Sequence, residues 1–182
     1  MDKRLFIVSS RLPITIDEEN GVQPASGGLV TAINGYMRNS SQQQFSTVYW
    51  AGVPGCSKNT WSEKAENNID PNFTYLPVFI KPAQYSGYYN GHANSLLWPL
   101  FHYFPSYAEY NADHYEQYGQ VNVHFANTLL KHLLPGDTVW IHDYHLLALP
   151  QLLRNEMPEI TIGFFLHIPF PSYEIFRLLP RS

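Results

Sequence analysis

Residues 137–143, "DTVWIHD", and 160–168, "ITIGFFLHI", are continuous apolar runs. Between them lies "LLALPQLLRNEM" (146–157), patterned as a helix with Pro150 in or near its first turn. Apolar runs without alternation suit strands covered on both faces, and such strands belong to parallel sheets joined by helical crossovers. The upstream sequence repeats this order. "RLFIVS" (4–9) reads as a buried first strand, "STVYWAGVPG" (46–55) as a strand entering a glycine-rich loop, and "FTYLPVFI" (73–80) as another strand. Helices are expected over 29–39, over 108–134 with Val121, Phe125, Leu129 and His132 or Leu133 on one face, and from Ser172, a candidate cap. Residues 11–28 are rich in turn formers and read as a loop or small hairpin, while 82–104 are dense in aromatics and resist assignment. The class is therefore α/β with a mainly parallel sheet.

A chain of 182 residues fits one domain. It ends at "RLLPRS", inside or just after an apolar helix, where an independent domain seldom stops, so a fragment of a longer protein is expected. Charged residues are 14% against a usual ~25%, which leaves part of the polar surface to be covered by something else. A net charge of −4 gives no electrostatic case for nucleic acid or an anionic membrane. The single Cys56 excludes an internal disulfide framework. The amino-terminal apolar run is too short for a signal h-region, and no stretch reaches the ~18 apolar residues of a membrane span. A cytoplasmic location is the simplest expectation. The glycosylation patterns at Asn39 and Asn72 then read as chance.

In open α/β sheets, ligands bind beyond the carboxyl ends of the strands. Three expected strand ends carry polar residues: Ser9-Ser10-Arg11, His142-Asp143 and His167. The strand–helix–strand reading brings Arg11, Asp143 and His167 to one rim. Arg11 offers a planar fork for phosphate or carboxylate, or a structural ion pair. Gly27 and Gly28 precede a helix, where backbone N–H groups can approach an anion; a plain turn is the bland alternative. The glycines match neither a dinucleotide fingerprint nor a P-loop. Tyr88, Tyr89 and Trp98 suit sugar recognition or simply core packing.

His142, Asp143 and His145 invite a metal reading. Strand alternation turns His142 and Asp143 to opposite faces, and the Cys/His and HExxH zinc spacings are missing, so no metal is expected. A serine hydrolase lacks its GxSxG elbow. On alternation alone Asp143 is the ligand-facing member, and His142 and His145 fall to structural roles.

Five segments together resemble the trehalose-6-phosphate synthase family of retaining glucosyltransferases. They are "IVSSRLP" (7–13), "SGGLV" (26–30), "YYN" with "LLWPLFHY" (88–90 and 96–103), "VWIHDYHLL" (139–147) and "IGFFLHIPFPSYEIF" (162–176). Their order matches over essentially the whole chain. The resemblance implies a Rossmann-like amino-terminal domain of a two-domain, GT-B type enzyme, with residues 1–182 forming the acceptor-side domain and the nucleotide-sugar domain missing. It implies transfer of glucose from UDP-glucose to glucose 6-phosphate, giving trehalose 6-phosphate and UDP. The donor's anomeric configuration is retained, the acceptor attacks from the leaving-group face, and no metal, cofactor or covalent enzyme intermediate is involved.

By motif position Arg11 would contact the acceptor phosphate, and Tyr89 and Trp98 would shape the acceptor pocket. Gly27 and Gly28 would place amides near the donor diphosphate. Asp143 would hydrogen-bond sugar hydroxyls, and His167 would sit beside the reacting centre against the donor glucose. Trp98 and Ile168 would help fix anomer selectivity by shape, while Tyr88 and Trp50 match the family less securely. The missing half would supply the cations that grip UDP, so this piece alone is expected to be inactive. Its partners would be the two substrates and that missing domain; an apolar face left bare would also allow homo-oligomers. Two alternatives stand beside this reading: a non-catalytic sugar-phosphate-binding module of the same fold, and a metal-dependent hydrolase built on His142, Asp143, His145 and His167.

Overall fold

The structure is a computed structural model, which describes residues 3–17, 21–25, 27–36, 45–65 and 73–180. Five parallel strands form the central sheet: β1 (Arg4–Arg11), β4 (Thr47–Val53), β5 (Thr74–Pro77), β6 (Thr138–His142) and β7 (Thr161–Phe165), in the order β5-β4-β1-β6-β7. β2 (Ile14–Asp17) and β3 (Gly21–Pro24) pair as a separate antiparallel hairpin, resolving the turn-rich segment after β1. The helices are α1 (Gly28–Tyr36), α2 (Lys58–Lys64), α3 (Pro82–Tyr85), α4 (Trp98–Phe101), α5 (Ala112–Leu130), α6 (Leu149–Glu156) and α7 (Tyr173–Phe176). The expected helix over 29–39 is seen to Tyr36, its last residues lying outside the described residues, as do Asn39 and Asn72.

Side-chain alternation along β1 feeds two apolar layers. Phe6 and Val8 join Ala51, Val139 and Ile141 against α5 and α6, whereas Leu5 and Ile7 join Val48, Trp50 and Ile33 on the opposite face. The expected face of α5 is buried at Val121, Phe125 and Leu129, and Leu133 continues it beyond the helix, while His132 is exposed. Asn111 caps α5 by accepting from the N–H groups of Asp113 and His114. Pro150 is the second residue of α6, where its missing N–H costs nothing. Ser172 occupies the cap position of α7 without a side-chain capping bond.

One expectation is corrected, and one unassigned stretch takes a definite form. The run 160–168 is not buried on both faces: β7 is an edge strand, with Phe164 38% and Phe165 51% exposed. An edge position removes the cover that a continuous apolar run leads one to expect. The unassigned aromatic stretch is helical, with wide π-type turns over Ser86–Leu97 between α3 and α4. Gly87 and Gly91 let this segment lie close to α5, because a Cβ on either would strike the Gln117 or His114 side chain. Wide turns of this kind recur at functional sites.

The end of β1 shows the tightest backbone approach. Its pairing with β4 slips between Val8 and Arg11, and Leu12 N–H then donates to Val53 O at 3.0 Å. A Cβ on Gly52 would stand 2.6 Å from both Arg11 C and Leu12 N. Gly52→Ala must therefore push apart two backbones rather than a flexible side chain. It should lower stability by about 1–3 kcal/mol, read as a lower urea midpoint at unchanged slope; an unaltered midpoint would contradict the close approach.

Candidate active site

The strand order places a topological switch at β1. After β1 the chain fills one side of the sheet with β4 and β5, then returns to fill the other with β6 and β7. Crevices form where the order reverses, beyond the carboxyl ends of the strands on either side. Arg11 closes β1 and Asp143 follows β6, so these two residues flank the switch. His142 pairs in register with Phe165, which puts His167, two residues further along, beside the same end.

Arg11 is exposed and forms no ion pair among the described residues. Its charge reaches Tyr85, opposing the burial that pushes that hydroxyl up to about 12. The two serines before it are fully engaged. Ser9 Oγ accepts from Trp50 Nε1–H at 2.8 Å and donates to Arg11 O at 2.7 Å, and Ser10 Oγ accepts from Tyr88 at 3.0 Å. Trp50 and Tyr88 thus brace the β1 end from opposite layers of the core, both completely buried.

Asp143 has φ 76°, a conformation that side-chain-bearing residues adopt at a cost of about 1–3 kcal/mol. Its backbone N–H donates to Phe165 O at 2.8 Å, extending the sheet by one bond. Oδ1 accepts from Tyr144 N–H at 3.0 Å and from His167 N–H at 3.3 Å. Burial holds the carboxyl above the usual aspartate range, and those two N–H donors pull it back. Strand alternation predicts that His142 and Asp143 part company; instead Asp143 has left the strand, and both residues meet His167. His142 Nδ1 lies 3.0 Å from His167 Nε2. The cluster at the end of β6 therefore reconverges on His167 rather than splitting apart. Among the described residues no three His, Cys, Asp or Glu side chains are grouped to hold a metal.

His145 lies 4.0 Å from Asp143 Oδ2, but burial pushes its imidazole down to about 4, so it is neutral near pH 7. It stacks on Tyr89 at 4.8 Å, and Tyr89 stacks in turn on Tyr85 at 5.1 Å. That sandwich links the π-type turns to the end of β6. Trp98, 44% exposed, opens α4 and lies 4.2 Å from the His102 ring. Gly27 and Gly28 are exposed at the start of α1, and Ile168 is half-buried just past β7.

Contacts that sequence patterns do not signal hold this rim. Tyr144 donates to Asn94 Oδ1 at 2.8 Å. Tyr118 donates to Tyr144 O at 2.8 Å and accepts from Leu147 N–H at 3.0 Å, and the Asn122 amide donates to Tyr118 O at 2.9 Å. All of these span tens of residues or sit inside a uniformly helical pattern. A cavity of about 490 Å³ lies elsewhere, lined by His92, Tyr110, Tyr115, Tyr173, Phe176 and Arg177. The strand-end residues do not line it, and the switch-point geometry favours the rim.

Residues 3–182 match the sequence profile of glycosyltransferase family 20. The UDP-forming alpha,alpha-trehalose-phosphate synthase of Yarrowia lipolytica is 41% identical over 97% of this chain, which spans 39% of that relative. A Burkholderia xenovorans synthase solved in complex with glucose-6-phosphate superposes with a TM-score of 0.75 at 30% identity, over 97% of this chain and 36% of that one. An Escherichia coli trehalose-6-phosphate protein bound with UDP-2-fluoro glucose superposes at 0.74 and 34% identity, again over 97% and 36%. The chain thus spans between a third and two fifths of these relatives' lengths. With the strand order of a Rossmann-like domain and a profile match along its described length, the chain belongs to glycosyltransferase family 20.

Proposed function

We propose that the protein supplies the acceptor-side domain of a retaining glucosyltransferase that moves glucose from UDP-glucose to glucose 6-phosphate, forming trehalose 6-phosphate and UDP. The observation that supports this reading is that Arg11, Asp143 and His167 stand at the carboxyl ends of the adjacent strands β1, β6 and β7, with the His167 N–H donating to Asp143 Oδ1. A free guanidinium suits a phosphate, a carboxylate suits sugar hydroxyls, and neither requires a metal. The relatives solved with glucose-6-phosphate and with UDP-2-fluoro glucose support the two substrate classes.

Arg11 takes the acceptor phosphate, with Tyr89 and Trp98 walling the acceptor sugar. Asp143 accepts from sugar hydroxyls, and its engagement by two N–H groups makes it an acceptor rather than a general base. His167 meets the donor glucose, and Gly27 and Gly28 present amides to the diphosphate. Trp98 and Ile168 select the anomer by shape. The leaving diphosphate needs cations aimed at its developing charge. These belong to a second, nucleotide-sugar domain that faces this one.

Residues 1–182 purified alone should therefore give no measurable trehalose 6-phosphate from the two substrates; product above a heat-killed control would refute the division of labour. In the protein joined to its nucleotide-sugar domain, Arg11→Ala removes a charge-assisted bond and should raise KM for glucose 6-phosphate on the order of 10- to 100-fold. An unchanged KM would sink the phosphate assignment. Asp143→Gly separates strain from chemistry. Glycine adopts φ 76° freely but gives up the carboxylate that accepts from Tyr144 and His167, so the strain relief and the lost bonds oppose each other and the melting temperature should change little while transfer is largely lost. Retained transfer in a folded Asp143→Gly variant would remove Asp143 from the reaction.

A further inference from the structure

His142 is the last residue of β6 and only 1% exposed. Its ring stacks on that of His167 at 5.3 Å and 26°, and Trp140 packs against it at 4.4 Å. The two imidazoles face each other through His142 Nδ1 and His167 Nε2, 3.0 Å apart, and His142 Nε2 is buried with no hydrogen-bond partner among the described residues. One of the facing nitrogens must carry the shared proton.

Two neutral arrangements exist. If His167 donates from Nε2, His142 must carry its own proton on Nε2, as a buried N–H with no acceptor. If His142 donates from Nδ1, its buried Nε2 is a bare lone pair, and His167 carries its proton on Nδ1. Among buried backbone groups an orphaned N–H is rarer than an under-satisfied acceptor, and we carry that preference over to the imidazole. A cationic His142 could donate from Nδ1 but would bury a charged Nε2–H without an acceptor, and burial pushes its pKa down to about 4. The second arrangement is therefore favoured.

We propose that His142 is a positioning residue whose Nδ1–H bond to His167 Nε2 holds the exposed His167 ring and fixes its proton on Nδ1, so that the rim presents a hydrogen-bond donor there. The main chain of His167 is held from the same end of β6, through its N–H to Asp143 Oδ1. The rim then offers an acceptor carboxylate beside a donor imidazole. A hydroxyl both gives and takes one hydrogen bond, so this pair is complementary to a sugar hydroxyl. That the hydroxyl belongs to the donor glucose rests on the function proposed above; the tautomer does not.

Nitrogen-15 spectra of histidine-labelled protein at about pH 8, above the ordinary histidine range, test this directly, with His167→Gln assigning the signals. The expected wild-type pattern is a protonated Nδ1 and a bare Nε2 on His167. His142→Leu should abolish that single-tautomer pattern, and His142→Asn, whose amide N–H can replace the lost donor, should retain it. A wild-type His167 protonated on Nε2 overturns the proposal, as does an unchanged pattern in folded His142→Leu. If circular dichroism shows His142→Leu unfolded, the wild-type and His142→Asn spectra decide alone. In the two-domain enzyme, His142→Leu should lower kcat on the order of tenfold with KM for glucose 6-phosphate unchanged, and His142→Asn should restore it. A changed tautomer with unchanged kcat would uphold the positioning and overturn the catalytic reading of His167.

Discussion

Parallel pairing of β1 on both edges, with β4 on one side and β6 on the other, is the constraint from which the rest follows. A parallel strand must be covered on both faces, and β1 supplies one apolar layer with Phe6 and Val8 and the other with Leu5 and Ile7. Because its two neighbours are reached by different crossovers, their loops diverge at the carboxyl end and leave a crevice there. Polar residues collect at that end because there the apolar demand stops. Gly52 then sets how closely β4 approaches, and so where Arg11 leaves the sheet.

The end of β6 shows how a polar cluster persists inside an apolar neighbourhood. The backbone conformation at Asp143 costs about 1–3 kcal/mol, and several bonds offset it. Phe165 O takes the Asp143 N–H, while Tyr144 and His167 donate to its carboxylate. Tyr118 and Asn122 of α5 tie down the following turn by its backbone. Much of the aromatic richness near the rim is thus scaffold: Tyr88, Tyr118 and Tyr144 spend their hydroxyls on positioning neighbours. Among the described residues, Tyr89 and Trp98 commit no hydroxyl or indole N–H in this way and keep part of their surface open, which leaves them to meet a ligand.

The sequence made the parallel sheet legible because an apolar run bounded by turns and followed by a helical period is a strong signal. It also located the rim, since the carboxyl end of a strand can be read once the strand is. Burial of β7 could not be read, because a run of apolar residues records what a strand tolerates, and edge position depends on which strands pair with it. The close packing of the π-type segment on α5 was hidden because it rests on two glycines meeting side chains far along the chain. The His142–His167 contact was missed for a sharper reason. Alternation holds only while the strand lasts, and the positive φ of Asp143 ends it one residue earlier than the pattern "WIHD" conveys.

Exposure decides how much the rim can do alone. Arg11, Trp98 and His167 all face solvent, whereas Asp143 is half-buried. Charge-assisted bonds gain strength when water is excluded, because the same pair at 4 Å is worth about 1 kcal/mol in water and about 4 at an effective dielectric near 20. Under the proposed function, such an open wall of donors and acceptors would hold a sugar phosphate only weakly until a second surface closed over it. The β7 edge also leaves Phe164 and Phe165 exposed, and Phe165 pairs with His142 at the rim. Under the proposed function, closure by a facing domain does two things at once: it dries the Arg11 and Asp143 contacts, and it brings the leaving-group cations to the diphosphate. Affinity and catalysis would then rise together on closure, which is why the acceptor contacts of this domain can be built in advance and still remain idle.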